Sequence, residues 1–244
     1  MSVNNTGAVI FDMDGVLTNS EWFIAEAGRL MFEETHKTAV THEDFLPFTG
    51  LGENRFLGGV AEKYGLAAFD IERDKARAYE IYGDLIKGKL KALPGAVEFV
   101  RGCRALELKT ALATSTDYVK MMASLTEIGL IKPQISAAEA GLATAAARAA
   151  ENAVFDAMVN GLDVERRKPF PDIFLEAARR IETAPERCWV VEDSVGGVAA
   201  AKAAGMRCLA LLTTFPEEEI KAAGADIIVK DLSCISPRAL LDFS

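Results

Sequence analysis

The chain has little of what several protein classes require. No apolar run among its 244 residues approaches the ~20 needed to cross a bilayer, so no membrane insertion is expected. Positive charge is in deficit: 27 Lys and Arg against 36 Asp and Glu leave a formal charge of −9. That balance disfavours nucleic acid and anionic membrane surfaces as partners. Cysteine is scarce and scattered. Cys103, Cys188, Cys208 and Cys234 show no metal-ligand spacing and sit mostly in apolar surroundings, so reduced core thiols are expected. His36 and His42 are the two histidines, both in polar context near an expected turn, and are read as surface residues. The first residues, Met1 to Asn5, carry neither a basic nor an apolar stretch, so secretion is not expected. The reading is a soluble intracellular protein, with monomer as the default state.

What the chain does have is core-forming material. Half of its residues are hydrophobic, and a chain of this length buries about 70–75% of its unfolded surface. Apolar runs at Ala8–Phe11, Thr110–Ala113, Val154–Val159, Cys188–Val191, Cys208–Leu212 and Ile227–Val229 read as strands. Helical stretches near 95–106, 117–128, 170–181, 194–204 and 216–223 separate the later ones. Such alternation predicts a parallel sheet with right-handed crossovers, covered on both faces. From about Ser20 to Ala92 the pattern is helical instead, as in Phe23–Phe32 and Ile71–Ile86. The expected fold class is therefore α/β: a Rossmann-like core of residues 1–19 and 93–244 with an α-helical cap of residues 20–92 inserted into it. An Ala-rich stretch, 133–152, is expected to add a peripheral helix to the core.

Chemistry-bearing residues cluster where strands should end. Asp12 and Asp14 follow the first strand, and period-two alternation points both the same way. Gly15 permits a sharp turn after them; a plain turn capped by Asp14 is the alternative. Two anions so close favour a proton or a cation between them. Thr114-Ser115-Thr116-Asp117 closes the second strand and begins a helix; a hydroxyl there, of Thr114 or Ser115, suits a phosphate oxygen, and a plain N-cap by Ser115, Thr116 or Asp117 is the alternative. Lys168, before Pro169, is forced into extended backbone, which suits a side chain reaching inward; a solvated lysine is the alternative. Glu192 and Asp193 end an apolar strand, where burial of two carboxylates is costly without a cation, although Asp193 would also serve as a helix cap. Asp12, Asp14 and Asp193 together offer oxygen ligands for Mg²⁺, with Glu192 completing or tuning the shell.

These pieces, in this order, resemble the haloacid dehalogenase superfamily, and within it the branch of phosphosugar phosphatases and β-phosphoglucomutases. The resemblance covers nearly the whole chain and is carried by Asp12-x-Asp14-Gly15, Thr114, Lys168-Pro169-x-Pro171-Asp172 and Glu192-Asp193. It implies that Asp12 attacks phosphorus to form an aspartyl phosphate. Asp14 would then act as acid and base, while Thr114, Ser115 and Lys168 bind the phosphoryl oxygens. The substrate implied is a small phosphorylated metabolite, and the cofactor Mg²⁺.

Substrate choice is expected from the cap, through Ser20, Gly50, Gly52, Glu53 and Arg55. Mutase relatives carry a histidine where this chain has Ile24 and a phosphate-holding arginine where it has Glu53. Both differences favour a phosphatase over a phosphomutase, with Arg55 a conceivable replacement for the missing arginine. A regulatory module with little turnover is the alternative from another class. The glycine-rich string 48–61 is similar to the cap of the dehalogenase-like domain in the suppressor-of-quenching proteins of plant and algal chloroplasts. That likeness implies a stromal setting in place of a cytoplasmic one. The same string reads as a mobile loop facing the site, or as ordinary turns between helices.

Overall fold

A computed structural model describes residues 6–49, 52–132 and 154–243. The Ala-rich stretch 133–152 and Gly50 lie outside the described residues. Six strands form one wholly parallel sheet in the order β3-β2-β1-β4-β5-β6. They are β1 (Ala8–Phe11), β2 (Lys109–Ala113), β3 (Ala157–Val159), β4 (Cys188–Glu192), β5 (Arg207–Leu211) and β6 (Ile227–Val229). The central strand β1 is buried along its whole length, which explains a continuous apolar run where an exposed strand would alternate. Val9 and Phe11 enter one buried cluster, Ala8 and Ile10 the other.

The first face is covered by α4 (Ala96–Ala105) and α5 (Tyr118–Glu127), through Phe99, Val100, Met121 and Leu125. The second is covered by α6 (Asp172–Arg180), α7 (Val195–Ala203) and α8 (Glu217–Ala222), through Ile173, Phe174, Val198 and Ile220. A short α9 (Ala239–Asp242) adds Leu240 to the first face.

Between β1 and β2 the chain forms α1 (Glu21–His36), α2 (Glu53–Lys63) and α3 (Ile71–Ile86). Their apolar residues, among them Met31, Phe32, Leu57 and Tyr82, join the same buried cluster as the first sheet face. The outgoing and returning segments are tied together: Leu93 N–H donates to the Leu17 carbonyl at 2.9 Å, and the Thr18 hydroxyl to the Lys91 carbonyl at 2.8 Å.

Four expectations are corrected. The strand expected over Val154–Val159 begins only at Ala157, because Asp156 turns its carboxylate onto the Thr110 N–H (2.8 Å) and Arg104. Residues 53–61 of the glycine-rich string are helix: Gly58 and Gly59 lie inside α2, where Phe56, Leu57, Val60 and Ala61 are buried and bare Gly59 leaves room for the Phe48 ring. His36 is not a surface residue, since its side chain is 6% exposed and pairs with the fully buried Asp74 at 2.8 Å. Cys234 is exposed in a short turn, while Cys103, Cys188 and Cys208 are buried free thiols.

Candidate active site

The carboxyl ends of the three central strands meet at one side chain. Asp12 is the first residue past β1, 7% exposed, and its N–H extends the ladder to the Val191 carbonyl at 3.0 Å. Lys168, from the loop before α6, donates to Asp12 Oδ1 and to Glu192 Oε1, each at 2.5 Å, and approaches the Ala113 carbonyl at 3.5 Å. The ammonium thus joins the ends of β1, β4 and β2. The solvated-lysine alternative is set aside by a side chain only 10% exposed. The Lys168–Pro169 bond is cis.

Glu192 has both oxygens engaged. Oε1 faces Lys168, and Oε2 accepts from the Asp193 N–H at 2.9 Å and from the N–H and hydroxyl of Ser194, each at 3.0 Å. In this structure its place is that of an anchor for Lys168. Asp193 does not cap α7; Ser194 does, accepting from the Gly197 N–H at 3.0 Å. The Asp193 carboxylate instead takes the Thr214 hydroxyl and lies against Gly15, where any Cβ would collide with it. Gly15 also holds φ +79°, a left-handed conformation natural to glycine.

Electrostatics separate these carboxylates. Burial pushes Asp12 up to about 7, with Lys168 opposing and Glu192 and Asp14 adding to the rise. Burial pushes Asp193 up to about 9, reinforced by Glu192 and Asp12. Burial would also raise Glu192, but Lys168 and the two backbone N–H groups outweigh it and hold it low. The Lys168 ammonium therefore pairs with two carboxylates, Asp12 and Glu192, and only weakly offsets the third, Asp193. Among the described residues no group of three acidic, histidine or cysteine side chains stands where it could hold a metal ion. The donor set still fits a hard divalent cation: Asp12 and Asp193 are buried, oxygen-bearing and short of positive charge.

Asp14 faces a different set of donors. Its Oδ1 accepts from the Ser20 N–H at 3.2 Å and from the Ser20 hydroxyl, and Oδ2 from Lys120 at 2.9 Å. Burial pushes Asp14 upward, yet Lys120 and Ser20 outweigh it and leave it below the ordinary value. Ser20 is fully buried as the residue before α1. Thr114 is buried at the end of β2 and accepts from the Thr116 N–H at 3.2 Å, ahead of α5. The Ser115 carbonyl meets the Arg167 guanidinium at 3.4 Å. Arg167 also lies against Gly52, which precedes α2 at φ +80°.

Glu53 reaches this region from the first position of α2, 5% exposed. Arg55 does not. It is half-exposed, paired with Glu62 at 2.7 Å and 5.2 Å over the Phe48 ring, so it does not replace the arginine missing at Glu53. Sequence reasoning read Thr116 and Asp117 only as helix caps, and Asp117 is the residue before α5; it missed Lys120, Lys75 and Tyr79. Lys75 pairs with Asp117 at 3.0 Å and with Asn54 at 2.7 Å. The Tyr79 hydroxyl and one Asp117 oxygen are buried without a hydrogen-bond partner. One signal was available. Lys120 shares its buried helical stripe with Met121, Ser124 and Leu125, and a lysine in such a stripe needs a charged partner.

Known proteins bear on this geometry. The family model described as haloacid dehalogenase-like hydrolase matches residues 6–205. The chain is 40% identical over 236 residues to the chloroplastic protein SUPPRESSOR OF QUENCHING 1 of Arabidopsis thaliana, covering 96% of this chain but 20% of that protein. It is 33% identical over 207 residues to the phosphorylated carbohydrates phosphatase of Thermotoga maritima, covering 82% of each. The crystal structure of CbbY from Rhodobacter sphaeroides in complex with phosphate superposes with a TM-score of 0.76 over 97% of this chain and 99% of that one, at 24% identity. That last likeness shows the fold.

Proposed function

We infer the activity from a premise these matches establish: the chain belongs to the haloacid dehalogenase-like hydrolases. The reading we propose is a Mg²⁺-dependent phosphatase acting on a small, phosphosugar-like phosphomonoester. The observation that carries it is the Lys168 ammonium, 2.5 Å from Asp12 and from Glu192 at the ends of adjacent strands. A buried carboxylate beside a buried cation at a parallel-sheet rim is placed to meet an anionic substrate. The name of the 33% identical relative, a phosphorylated carbohydrates phosphatase, supports the substrate class.

In this reading the Asp12 carboxylate attacks phosphorus. The bond to the leaving oxygen breaks, and that oxygen takes its proton from Asp14, which would have to gain it on substrate binding, because Lys120 and Ser20 hold it ionised here. Water then attacks the aspartyl phosphate. Asp14 accepts the water's proton, the Asp12–phosphorus bond breaks, and phosphate departs. Lys168 and the Thr114 hydroxyl hold phosphoryl oxygens, with Ser115 beside them, and Glu192 keeps Lys168 in line. Asp12 and Asp193, with Asp14 nearby, would hold Mg²⁺, which when bound offsets the charge of nucleophile and phosphate. Residues 20–92 act as the cap over this rim, joined to the core through the paired segments at Leu17–Thr18 and Lys91–Leu93. The 40% identity to a chloroplastic protein supports a plastid setting, and this chain spans a fifth of that relative.

A phosphomutase is less well supported. Ile24 is buried and apolar, and Glu53 is anionic where a mutase needs cationic help. The test is hydrolysis of p-nitrophenyl phosphate and of a panel of sugar phosphates, with Mg²⁺ and with chelator. Metal-dependent release of phosphate, lost in Asp12→Asn, is expected. A well-folded protein that turns over no phosphomonoester would favour the regulatory module, and isomerisation of a hexose phosphate without phosphate release would favour the mutase.

A further inference from the structure

The loop after β5 carries two adjacent hydroxyls to which the steps above give no role. It runs Leu212-Thr213-Thr214-Phe215-Pro216, and both of its ends are pinned. Leu212 and Phe215 pack against the second buried cluster, the Leu212 N–H donates to the Val229 carbonyl at 3.0 Å, and Pro216 opens α8, whose Ile220 is fully buried. Sheet register then places the loop: Ala210 of β5 stands opposite Glu192 of β4, so the chain leaves the sheet beside Asp193. Thr213 and Thr214 are exposed residues, yet both hydroxyls bond inward. Thr213 donates to the Gly15 carbonyl at 2.5 Å, and Thr214 donates to Asp193 Oδ2.

The carboxylates assigned to the cation stand on two strand ends, Asp12 and Asp14 past β1 and Asp193 past β4. A small divalent ion that demands near-octahedral geometry is shared only if those ends keep one separation and each carboxylate one rotation. The ladder itself stops short of this: its last rung is the Asp12 N–H to the Val191 carbonyl, and among the described residues no backbone hydrogen bond joins the turn 13–18 to 193–196. The neighbouring strand's loop supplies the tie. We propose that Thr213 and Thr214 are positioning residues for the divalent cation: one loop grips the β1 turn and the Asp193 carboxylate together, fixing the two strand ends against each other and engaging Asp193 Oδ2, so that Oδ1 is left for the ion. This deepens the phosphatase reading and rests on it. Groups that hold a metal ligand in place without touching the metal typically change affinity or activity 10–100-fold when removed. A purely structural role would rest on the apolar anchors Leu212 and Phe215, which remain when the hydroxyls are taken away.

The test titrates magnesium chloride into the parent, Thr214→Val, Thr214→Ser and Thr213→Val, following Tm in one arm and hydrolysis of p-nitrophenyl phosphate in the other. Thr214→Val should need about tenfold more Mg²⁺ or above for a given rise in Tm and for half-maximal hydrolysis. Thr213→Val should shift the same way, and Thr214→Ser, which keeps the hydroxyl, should stay with the parent. Variants that lose Tm without metal but need no more Mg²⁺ than the parent overturn the proposal, as does a Thr214→Ser protein that behaves like Thr214→Val. If Thr214→Val does not fold, Thr214→Ala takes its place and its Mg²⁺ requirement decides. A parent whose Tm ignores Mg²⁺ also overturns it, since the clasp then has no ion to serve. Metal-dependent hydrolysis with an unchanged Mg²⁺ requirement in the valine variants sinks the clasp and keeps the phosphatase. A Mg²⁺ requirement that shifts by Tm, in a parent that hydrolyses no phosphomonoester, sinks the phosphatase reading and supports the clasp in a metal-binding module.

Discussion

The strand-end cluster and the cap-side cluster are neighbours, share buried carboxylates and lysines, and balance their charge differently. At the strand ends Lys168 faces Asp12 and Glu192, with Asp193 alongside, and burial leaves Asp12 and Asp193 well above ordinary carboxylates. On the cap side Lys75 and Lys120 face Asp14, Glu53 and Asp117, with Ser20, Thr116 and the Asp117 N–H supplying further donors. There Asp14 is held low, and Glu53, though raised by burial, has both oxygens engaged. The first cluster is short of positive charge, with perturbed carboxylates of the kind found at functional sites. The second is closed by the protein's own groups, as a docking surface is.

The largest effect should come from breaking that contrast at its centre. Asp12→Asn is expected to lower kcat by at least about 10³-fold while raising the stability of the metal-free protein at pH 8, because it removes a buried charge the fold disfavours. Urea unfolding beside phosphate release reads both, and loss of activity without a stability gain would refute the charge-deficit account. Lys168→Met is expected to do the opposite to stability, costing about 3–5 kcal/mol by leaving Asp12 and Glu192 without their cation.

The pH dependence follows with its sign. Asp12 and Asp193 bind protons more tightly folded than unfolded. Their contribution is therefore fully present below about 3.8 and lost as pH rises through about 7 and about 9. The Tm of metal-free protein should fall between pH 5 and pH 9 by about 4 °C or more, and Mg²⁺ should restore more of it at pH 9 than at pH 5. A Tm insensitive to both would end the assignment of Asp12 and Asp193 as cation ligands.

Gly15→Ala is expected to cost about 1–2 kcal/mol, since its left-handed backbone and the Asp193 carboxylate both resist a methyl group. It should also shrink the Mg²⁺ shift in Tm, which a turn with no role beside the site would leave intact.

The smallest effect belongs to the cap surface. Glu26 is held at about 2, first by Arg29 and then by His42, so its contribution is present above about 4.5 and lost as pH falls through about 2. Glu26→Gln should change stability by about 1 kcal/mol or less, because Arg29 remains partly solvated. A larger loss in thermal unfolding at pH 7 would make that pair more than a surface contact.

How much of this was legible beforehand varied with the range of the interaction. The strand ends were legible because alternation, strand length and loop chemistry act within a few residues, and Asp12, Asp14, Lys168 and Asp193 each stand at such a boundary. Arg55 misled, because proximity to Glu53 along the chain says nothing about Glu62 and Phe48 drawing its guanidinium elsewhere. His36 misled for a related reason: a polar neighbourhood in sequence concealed Asp74, 38 residues away. The glycines of α2 looked like loop, since only packing against Phe48 gives Gly59 its use.

The amino-acid order by itself determined the parallel sheet, the helical block between its first two strands and the carboxylates at the rim, because apolar periodicity and the cost of burying unpaired charge are local properties. Only the tertiary structure decided which cation answers which anion. Glu192 went to Lys168, Asp14 to Lys120, and Glu53 to the start of α5, 63 residues on. Buried ion pairs form wherever the packing of distant elements excludes water, and no stretch of sequence carries that information alone.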